Sequence, residues 1–302
     1  MSSAPELRPP SGLPMALGAY LIWGLLPLDL RLVHSVPPFE FVGWRIVFTL
    51  PLCLLFIALR GQIAELLAAL SNPRTMLLLL ASALLIGINW VVYIAAIQNG
   101  HVFASSLGYY INPLINVLFG TVFLREKLSR LQWAAVAVAA IGVSLLAWNA
   151  RDMLWISLTL AVSFSAYGLV RKLVPVGSLP GLTIESAVLV LPAIGFIVWQ
   201  TSGGAQAAVG HDLRQSLLVA LSGVLTAVPL LLFAIAARRM DYSTLGFVQF
   251  MSPTLVFFLG LFVFGEPLRP VQLACFVLIW AAIALFVWDL LARQRANRPA
   301  AI

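Results

Sequence analysis

The sequence predicts an all-α integral membrane protein of ten transmembrane helices, built as two five-helix repeats inserted in opposite senses. Three observations carry this. The first is composition: of 302 residues, 62% are hydrophobic and 10% are charged, and the mean hydropathy is +1.01. An ordinary soluble domain carries about 25% charged residues, and a soluble chain of this length has too little interior to hide so much apolar surface. The second is an internal repeat. Residues 113–148 run PLINVLFGTVFLREKLSRLQWAAVAVAAIGVSLLAW, and residues 253–288 run PTLVFFLGLFVFGEPLRPVQLACFVLIWAAIALFVW. At constant offset Pro113 meets Pro253, Gly120 meets Gly260, Glu126 meets Glu266, Leu128 meets Leu268, Gln132 meets Gln272 and Trp148 meets Trp288. The third is the placement of basic residues, which alternates from one inter-span segment to the next.

Each apolar window is about 20 residues long, enough to cross a hydrocarbon core of about 30 Å. The chain opens with residues 1–13, rich in proline and without a basic region or small-residue cleavage site, and this lead is expected to be disordered. The first span is 14–33, with Asp29 and Arg31 expected to follow its helix, at the outer mouth. Val36-Pro37-Pro38 separates it from the second span, 38–59. Ser71-Asn72-Pro73-Arg74 precedes the third, 75–99, and Asn99-Gly100 divides that from the fourth, 102–124. The fifth span, 131–149, closes the first repeat (14–149). After Arg151-Asp152 the second repeat (153–291) runs through 153–171, 180–201, 215–237, 243–264 and 270–291. Its breakers are Gly203-Gly204, within the longest loop, and Arg238-Arg239. Residues 292–302 form a basic tail. Cys53 and Cys275 lie inside apolar runs without CxxC spacing and read as packing residues.

With the N-terminus placed in the cytoplasm, the inside segments hold thirteen Lys or Arg and the outside segments four (Arg31, Arg151, Arg214 and Arg269). That bias is the positive-inside signature, and it puts both termini in the cytoplasm. Five spans per half is an odd number, so the second half must enter the membrane upside down. The charges of the two homologous turns agree. Arg125-Glu126-Lys127-Leu128-Ser129-Arg130 is basic and lies inside; Gly265-Glu266-Pro267-Leu268-Arg269-Pro270 has lost most of that charge and lies outside. Upstream, Trp23-Gly24-Leu25 aligns with Tyr167-Gly168-Leu169. Leu107-Gly108 aligns with Leu245-Gly246, with two extra residues before Pro253. The net charge of +7 does not point to nucleic acid, because the basic residues are scattered in twos and threes at span ends. The partners implied are the lipid bilayer and whatever passes between the repeats, since repeats of this length are the mark of many transporters.

Polar groups at membrane depth default to functional hypotheses. Arg45 lies about two turns into the second span. Glu185, in the seventh, is its near counterpart. Inversion places Arg45 toward the outer side and Glu185 toward the inner, so no direct pair is expected. Arg45 suits an anionic group of a solute, and Glu185 a proton or a cationic group. Alternatively, Arg45 pairs with Glu40 or a backbone carbonyl and ties helices together. In the fourth span Ser105, Tyr109, Asn112 and Asn116 share one helical face. That face looks either at a partner helix or at a cavity. Pro113 removes a backbone hydrogen bond near Tyr109, as Pro253 does near Gln249, so helix breaks are expected at both. Asn89 and Tyr93 share a face of the third span, beside Trp90. Trp23 and Tyr167 occupy matching places, as pocket lining or as packing. His34, His101 and His211 fall in or beside loops without metal spacing. No P-loop, G-x-S-x-G elbow or adjacent Asp pair is present, so no cofactor, metal or enzymatic chemistry is expected, and any transport is gradient-driven or downhill.

Several stretches resemble the drug/metabolite transporter superfamily, in its EamA form and specifically its RarD branch. They are Ala19-Tyr20-Leu21-Ile22-Trp23-Gly24, Gly87-Ile88-Asn89-Trp90 and Ser106-Leu107-Gly108-Tyr109-Tyr110-Ile111-Asn112-Pro113-Leu114. With them stand Tyr167-Gly168-Leu169-Val170-Arg171-Lys172, Ser243-Thr244-Leu245-Gly246-Phe247 and Gly265-Glu266. The resemblance covers about residues 15 to 291. It implies two EamA domains, a permease of the bacterial inner membrane, and alternating access through a central cavity. Arg125-Glu126 departs from the Gly-Glu often found in that turn. The resulting expectation is a secondary transporter, an exporter, of a small organic solute. Its cavity would be lined by spans 1, 3, 4, 6, 8 and 9, and Asn89, Tyr93, Tyr109, Asn112, Asn116 and Gln249 would read the solute. Proton coupling would rest on Glu185. A lipid-modifying membrane enzyme or a non-transporting scaffold is the alternative. The sequence names neither the solute nor the oligomeric state.

Overall fold

The computed structural model describes residues 11–148, 151–204 and 207–296. The expected disordered lead therefore lies almost wholly outside the described residues, as do residue 149 and the end of the expected tail. The described chain is helical throughout: α1 (Leu13–Leu32), α2 (Pro38–Leu59), α3 (Ile63–Ser71), α4 (Pro73–Gln98), α5 (Val102–Val122), α6 (Arg130–Trp148), a 3-10 turn (Arg151–Met153), α7 (Leu154–Leu173), α8 (Ser178–Ser202), α9 (Leu213–Arg239), α10 (Tyr242–Gln249), α11 (Met251–Phe262) and α12 (Pro270–Ala296). With α10 and α11 counted as one span, ten helices among the described residues are long and apolar enough to cross a membrane. Local chemistry sets their starts. Pro38 and Pro73 stand in the first turn, where a missing N–H costs nothing. Asn72 caps α4 by accepting from Thr75 N at 3.0 Å, and Asp212 caps α9 through Arg214 N and Gln215 N.

Four sequence expectations need correcting. The segment between the second and third spans is not all loop, because α3 forms there, a short helix with Ala69 buried and Ile63, Leu67 and Leu70 exposed. Nine residues are too few for a periodicity signal to stand out between two apolar spans. The last helix runs to Ala296, so the start of the expected tail is helical. Asp29 and Arg31 do not follow the first helix but lie in its final turns. Finally, Pro113 does not break α5, which is continuous through it, whereas the ninth span is interrupted at Phe250. Both prolines leave the carbonyl four residues back without its usual donor. The second repeat also carries two extra residues before its proline. The helix absorbs them by tightening, with Phe250 N donating to Phe247 O at 3.3 Å, and then restarting.

The principal helix contacts join one half of the chain to the other. α6 packs on α12, α2 on α8 and α5 on α10. Most other contacts between the halves come in mates: α1 on α9 with α4 on α7, α5 on α7 with α1 on α10 and α11, and α2 on α9 with α4 on α8. Exchanging the halves maps this set onto itself. The two homologous turns are also folded alike. Glu126 N donates to Gly120 O at 3.0 Å, and Glu266 N to Gly260 O at 2.9 Å. Arg125 (φ 57°) and Gly265 (φ 67°) share the left-handed conformation, which costs a side-chain-bearing residue but not glycine.

The segments at 60–62, 123–129, 174–177 and 240–241 gather at one end, the basic end, and those at 33–37, 99–101, 203–204, 207–212 and 263–269 at the other. The centre is a buried cluster around Tyr20, Tyr167, Phe233, Tyr242 and Leu245. Exposed Leu, Ile, Val and Phe side chains cover the outer faces of the helices. Trp148, Trp155 and Trp199, each at least 60% exposed, sit near helix ends, as residues of a membrane–water belt do.

Candidate functional site

A cavity of about 520 Å³ lies between the halves. Its wall is drawn from α1, α2, α4, α5, α7, α9, α10 and α11, which adds the second span to those expected. Val33, His34, Val36 and Pro38 belong to the wall, as does Ile97 near the end of α4, so the cavity reaches the end opposite the basic one. This size suits a small organic molecule.

Of the residues singled out in the sequence, Trp23, Arg45, Asn89, Trp90, Tyr93, Tyr109, Asn112, Gln249 and Pro253 line the cavity. Among the described residues Arg45 is the one arginine or lysine in the wall. Its Nε donates to Thr226 Oγ1 at 2.8 Å, and its guanidinium lies 5.6 Å from the centre of the Phe41 ring. The expected alternative partner, Glu40, is engaged elsewhere. It accepts from Trp44 Nε1 at 3.1 Å, Gln200 Nε2 at 3.1 Å and Ala208 N at 2.6 Å. The two terminal nitrogens of Arg45 have no acceptor among the described residues. Its ionisable neighbours are Tyr109, Asp29 and Tyr93. The rings of Tyr93 and Tyr109 meet edge to face at 5.9 Å, and neither hydroxyl is bonded within the described chain. A guanidinium edge and two phenol hydroxyls thus offer donors to the same space, the arrangement an anionic oxygen requires.

Across the cavity stands an aromatic wall. Trp23 contacts Tyr20 at 5.7 Å and Phe164 at 5.5 Å between ring centres. Tyr20, Phe164 and Thr226 were not singled out from the sequence. Tyr20 lies three residues before Trp23 on the same helical face, a signal that periodicity alone offers. Thr226 had no such signal, because its role follows from α9 packing on α2.

The amides are committed to helix pairing. Asn89 Nδ2 donates to Leu160 O at 2.8 Å and Ser163 Oγ at 3.0 Å. Asn112 Nδ2 donates to Ala161 O at 2.8 Å and Ser165 Oγ at 3.0 Å. Gln249 Nε2 donates to Asn112 Oδ1, while Gln249 Oε1 accepts from Asn116 Nδ2 at 2.7 Å and Tyr20 OH at 3.4 Å. Asn116 is fully buried below the cavity floor. Ser105 turns back on its own helix, donating to Val102 O at 2.8 Å. Both sequence readings of this polar face therefore apply, to different residues. Tyr109 looks into the cavity; Asn116 joins helices.

Glu185 and Tyr167 lie outside the large cavity. Both line a water-sized pocket of about 10 Å³, whose wall shares Trp90 and Leu230 with the cavity above. Glu185 is 2% exposed. It accepts from Ser82 Oγ and from Tyr167 OH at 3.4 Å, and its Oε1 lies 3.5 Å from Nη1 of fully buried Arg171. Arg171 Nη2 donates to Ser178 O at 2.7 Å. The sequence places Arg171 at the end of the sixth span, but the tertiary packing buries it. As expected, Arg45 and Glu185 do not pair.

Comparison with known proteins agrees with this architecture. Residues 10–148 match the EamA-like transporter family. An uncharacterized transporter of Pseudomonas aeruginosa is 41% identical over 92% of this chain and 93% of its own. Protein RarD of Streptomyces exfoliatus is 41% identical over 95% of this chain and 91% of its own, and protein RarD of Escherichia coli strain K12 is 37% identical over 94% and 96%. A protein of known crystal structure, 20% identical, superposes with a TM-score of 0.71 over 95% of this chain and 99% of that one.

Proposed function

The chain belongs to the RarD-type members of the EamA-like transporter family, and on that footing we propose that it exports a small organic solute by alternating access between two inverted repeats, 14–149 and 153–291. Both termini and the basic end face the cytoplasm, in the bacterial inner membrane. The cavity is then the solute site, caught open to the outside. One observation carries the reading: Arg45 presents unpaired nitrogens, beside the free hydroxyls of Tyr93 and Tyr109, to a 520 Å³ space walled by Trp23, Tyr20 and Phe164. The solute that fits carries an anionic group and an apolar or aromatic body. Asn89, Asn112, Asn116 and Gln249 contribute by holding the floor.

Proton coupling fits Glu185, one side-chain layer below the cavity. A proton there weakens its hold on Arg171 and loosens α7 from α8 near the basic end. Comparing metabolites in cells lacking and overproducing the protein identifies the solute. Flux in proteoliposomes, with and without a pH gradient, then tests the mechanism. Saturable counterflow that falls with Arg45→Ala is expected. Flux indifferent to Arg45 removes the cavity from the path, and flux indifferent to the gradient removes the proton.

A further inference from the structure

The two homologous turns are built alike, but only one of their carboxylates is used. Glu126 Oε1 accepts from Tyr242 N at 2.6 Å, and its Oε2 accepts from Ser243 N at 2.8 Å and Ser243 Oγ at 2.6 Å. These backbone donors belong to the first turn of α10, which has no intrahelical partner for them, and the helix dipole strengthens their hold on a negative charge. The tip that follows α5 thus grips the start of α10 at the basic end. Farther along, the two helices cross. A Cβ on Gly246 would stand 2.7 Å from Pro113 O, and Asn112, Asn116 and Gln249 are bonded across the same point. Beyond the crossing, α5 and α11 both line the open cavity, with Ser106 and Tyr109 on one side and Pro253 and Val256 on the other.

Glu266 stands ready in the matching place. Its turn repeats the left-handed residue and the backbone bond to Gly260. Its carboxylate lies over Gly260, 3.0 Å from where a Cβ would be, as that of Glu126 lies over Gly120 at 2.5 Å. Yet Glu266 is exposed and makes no side-chain hydrogen bond among the described residues. By the repeat, its target is the first turn of α5, where Ser105-Ser106-Leu107-Gly108 mates with Ser243-Thr244-Leu245-Gly246. That turn has no side-chain cap, and although Ser105 N, the mate of Ser243 N, donates to His101 O at 3.1 Å, Val102, Phe103 and Ala104 donate no backbone bond. Acceptor and donors are both present, unjoined, at the end where the cavity opens.

We propose that Glu126 and Glu266 are alternate clasps of one scissor. When the halves rock, Glu266 takes the N–H groups of the first turn of α5 and seals the outer end, while Glu126 releases α10 and opens the basic end. Each state keeps one clasp, so the exchange is nearly balanced in hydrogen bonds. The purpose of the device rests on the transport reading, but its test reads conformation instead of flux.

The test uses the full-length protein in membranes, with Cys53 and Cys275 replaced by alanine. Phe103→Cys combined with Glu266→Cys is treated with a short bismaleimide, beside the control pair Glu126→Cys with Ser243→Cys. Both pairs are expected to crosslink. In a second arm, a single Val256→Cys reports cavity access to an impermeant maleimide from outside. Glu126→Gln is expected to shift the open–closed equilibrium about fivefold, the size of one lost helix cap, and so to slow that labelling. Adding Glu266→Gln is expected to restore it. If the control pair crosslinks and the outer pair never does, or if Glu126→Gln leaves Val256→Cys labelling unchanged, the proposal is overturned. Outer crosslinking in a protein that moves no solute would support the clasp and count against the transport reading alone.

Discussion

Replacing Glu185 by glutamine keeps the side chain's shape and removes its charge, which isolates what the buried pair with Arg171 contributes. Glu185 is 2% exposed and Arg171 0%. Without the carboxylate, Arg171 retains one hydrogen bond, from Nη2 to Ser178 O, while its Nε and Nη1 are buried with no hydrogen-bond acceptor. Removing one partner of such a pair typically costs about 3–5 kcal/mol, because the other charge is stranded. At about 1.4 kcal/mol per tenfold, Glu185→Gln should shift the unfolding equilibrium by more than about a hundredfold. The double change Arg171→Leu with Glu185→Leu removes the stranded charge, and it should return most of the loss, since apolar replacement of a buried pair is often near neutral. Arg171→Leu alone strands the carboxylate and should cost about as much as Glu185→Gln. The assay is thermal and denaturant unfolding of the purified protein in one detergent, with all four members of the cycle measured together. A Glu185→Gln protein within about 0.5 kcal/mol of the parent would refute the reasoning. It would mean that Glu185 is already neutral or that water solvates Arg171.

Arg45→Ala should weaken binding of an anionic solute by about 2 kcal/mol, roughly thirtyfold, with little change in thermal stability, because only one of its hydrogen bonds is to the protein. Equal binding by parent and variant, read from quenching of cavity-lining Trp23 and Trp90, would count against the anion site. Arg125→Gly should raise stability by about 0.5–1 kcal/mol, since φ 57° is costly for any residue with a Cβ; a lower melting temperature would show that the arginine side chain makes up the difference. Gly246→Val should abolish function at normal expression or block folding outright, as its side chain would be driven into the Pro113 carbonyl. Normal accumulation and flux in that variant would show that the crossing is loose.

The ten spans and the likeness of the two halves were legible in the linear sequence. The physical reason is that lipid imposes its demands locally. Each span must be about 20 apolar residues, and each connecting segment declares its side by its arginines and lysines. Arg45, Tyr93 and Tyr109 were also visible as polar or aromatic groups at unusual depth. What they face was not, because a polar group inside a membrane protein meets a cavity or another helix according to packing alone. Tertiary structure decided that Arg45 takes Thr226 and not Glu40, that the amides of Asn112, Asn116 and Gln249 are spent on one crossing, and that Arg171 is buried against Glu185. It also decided that Pro113 leaves α5 whole while the ninth span breaks at Phe250, since a helix tolerates one missing hydrogen bond but not the extra residues its partner lacks. Only contacts between residues far apart in the chain determine these outcomes, and no single span contains the information.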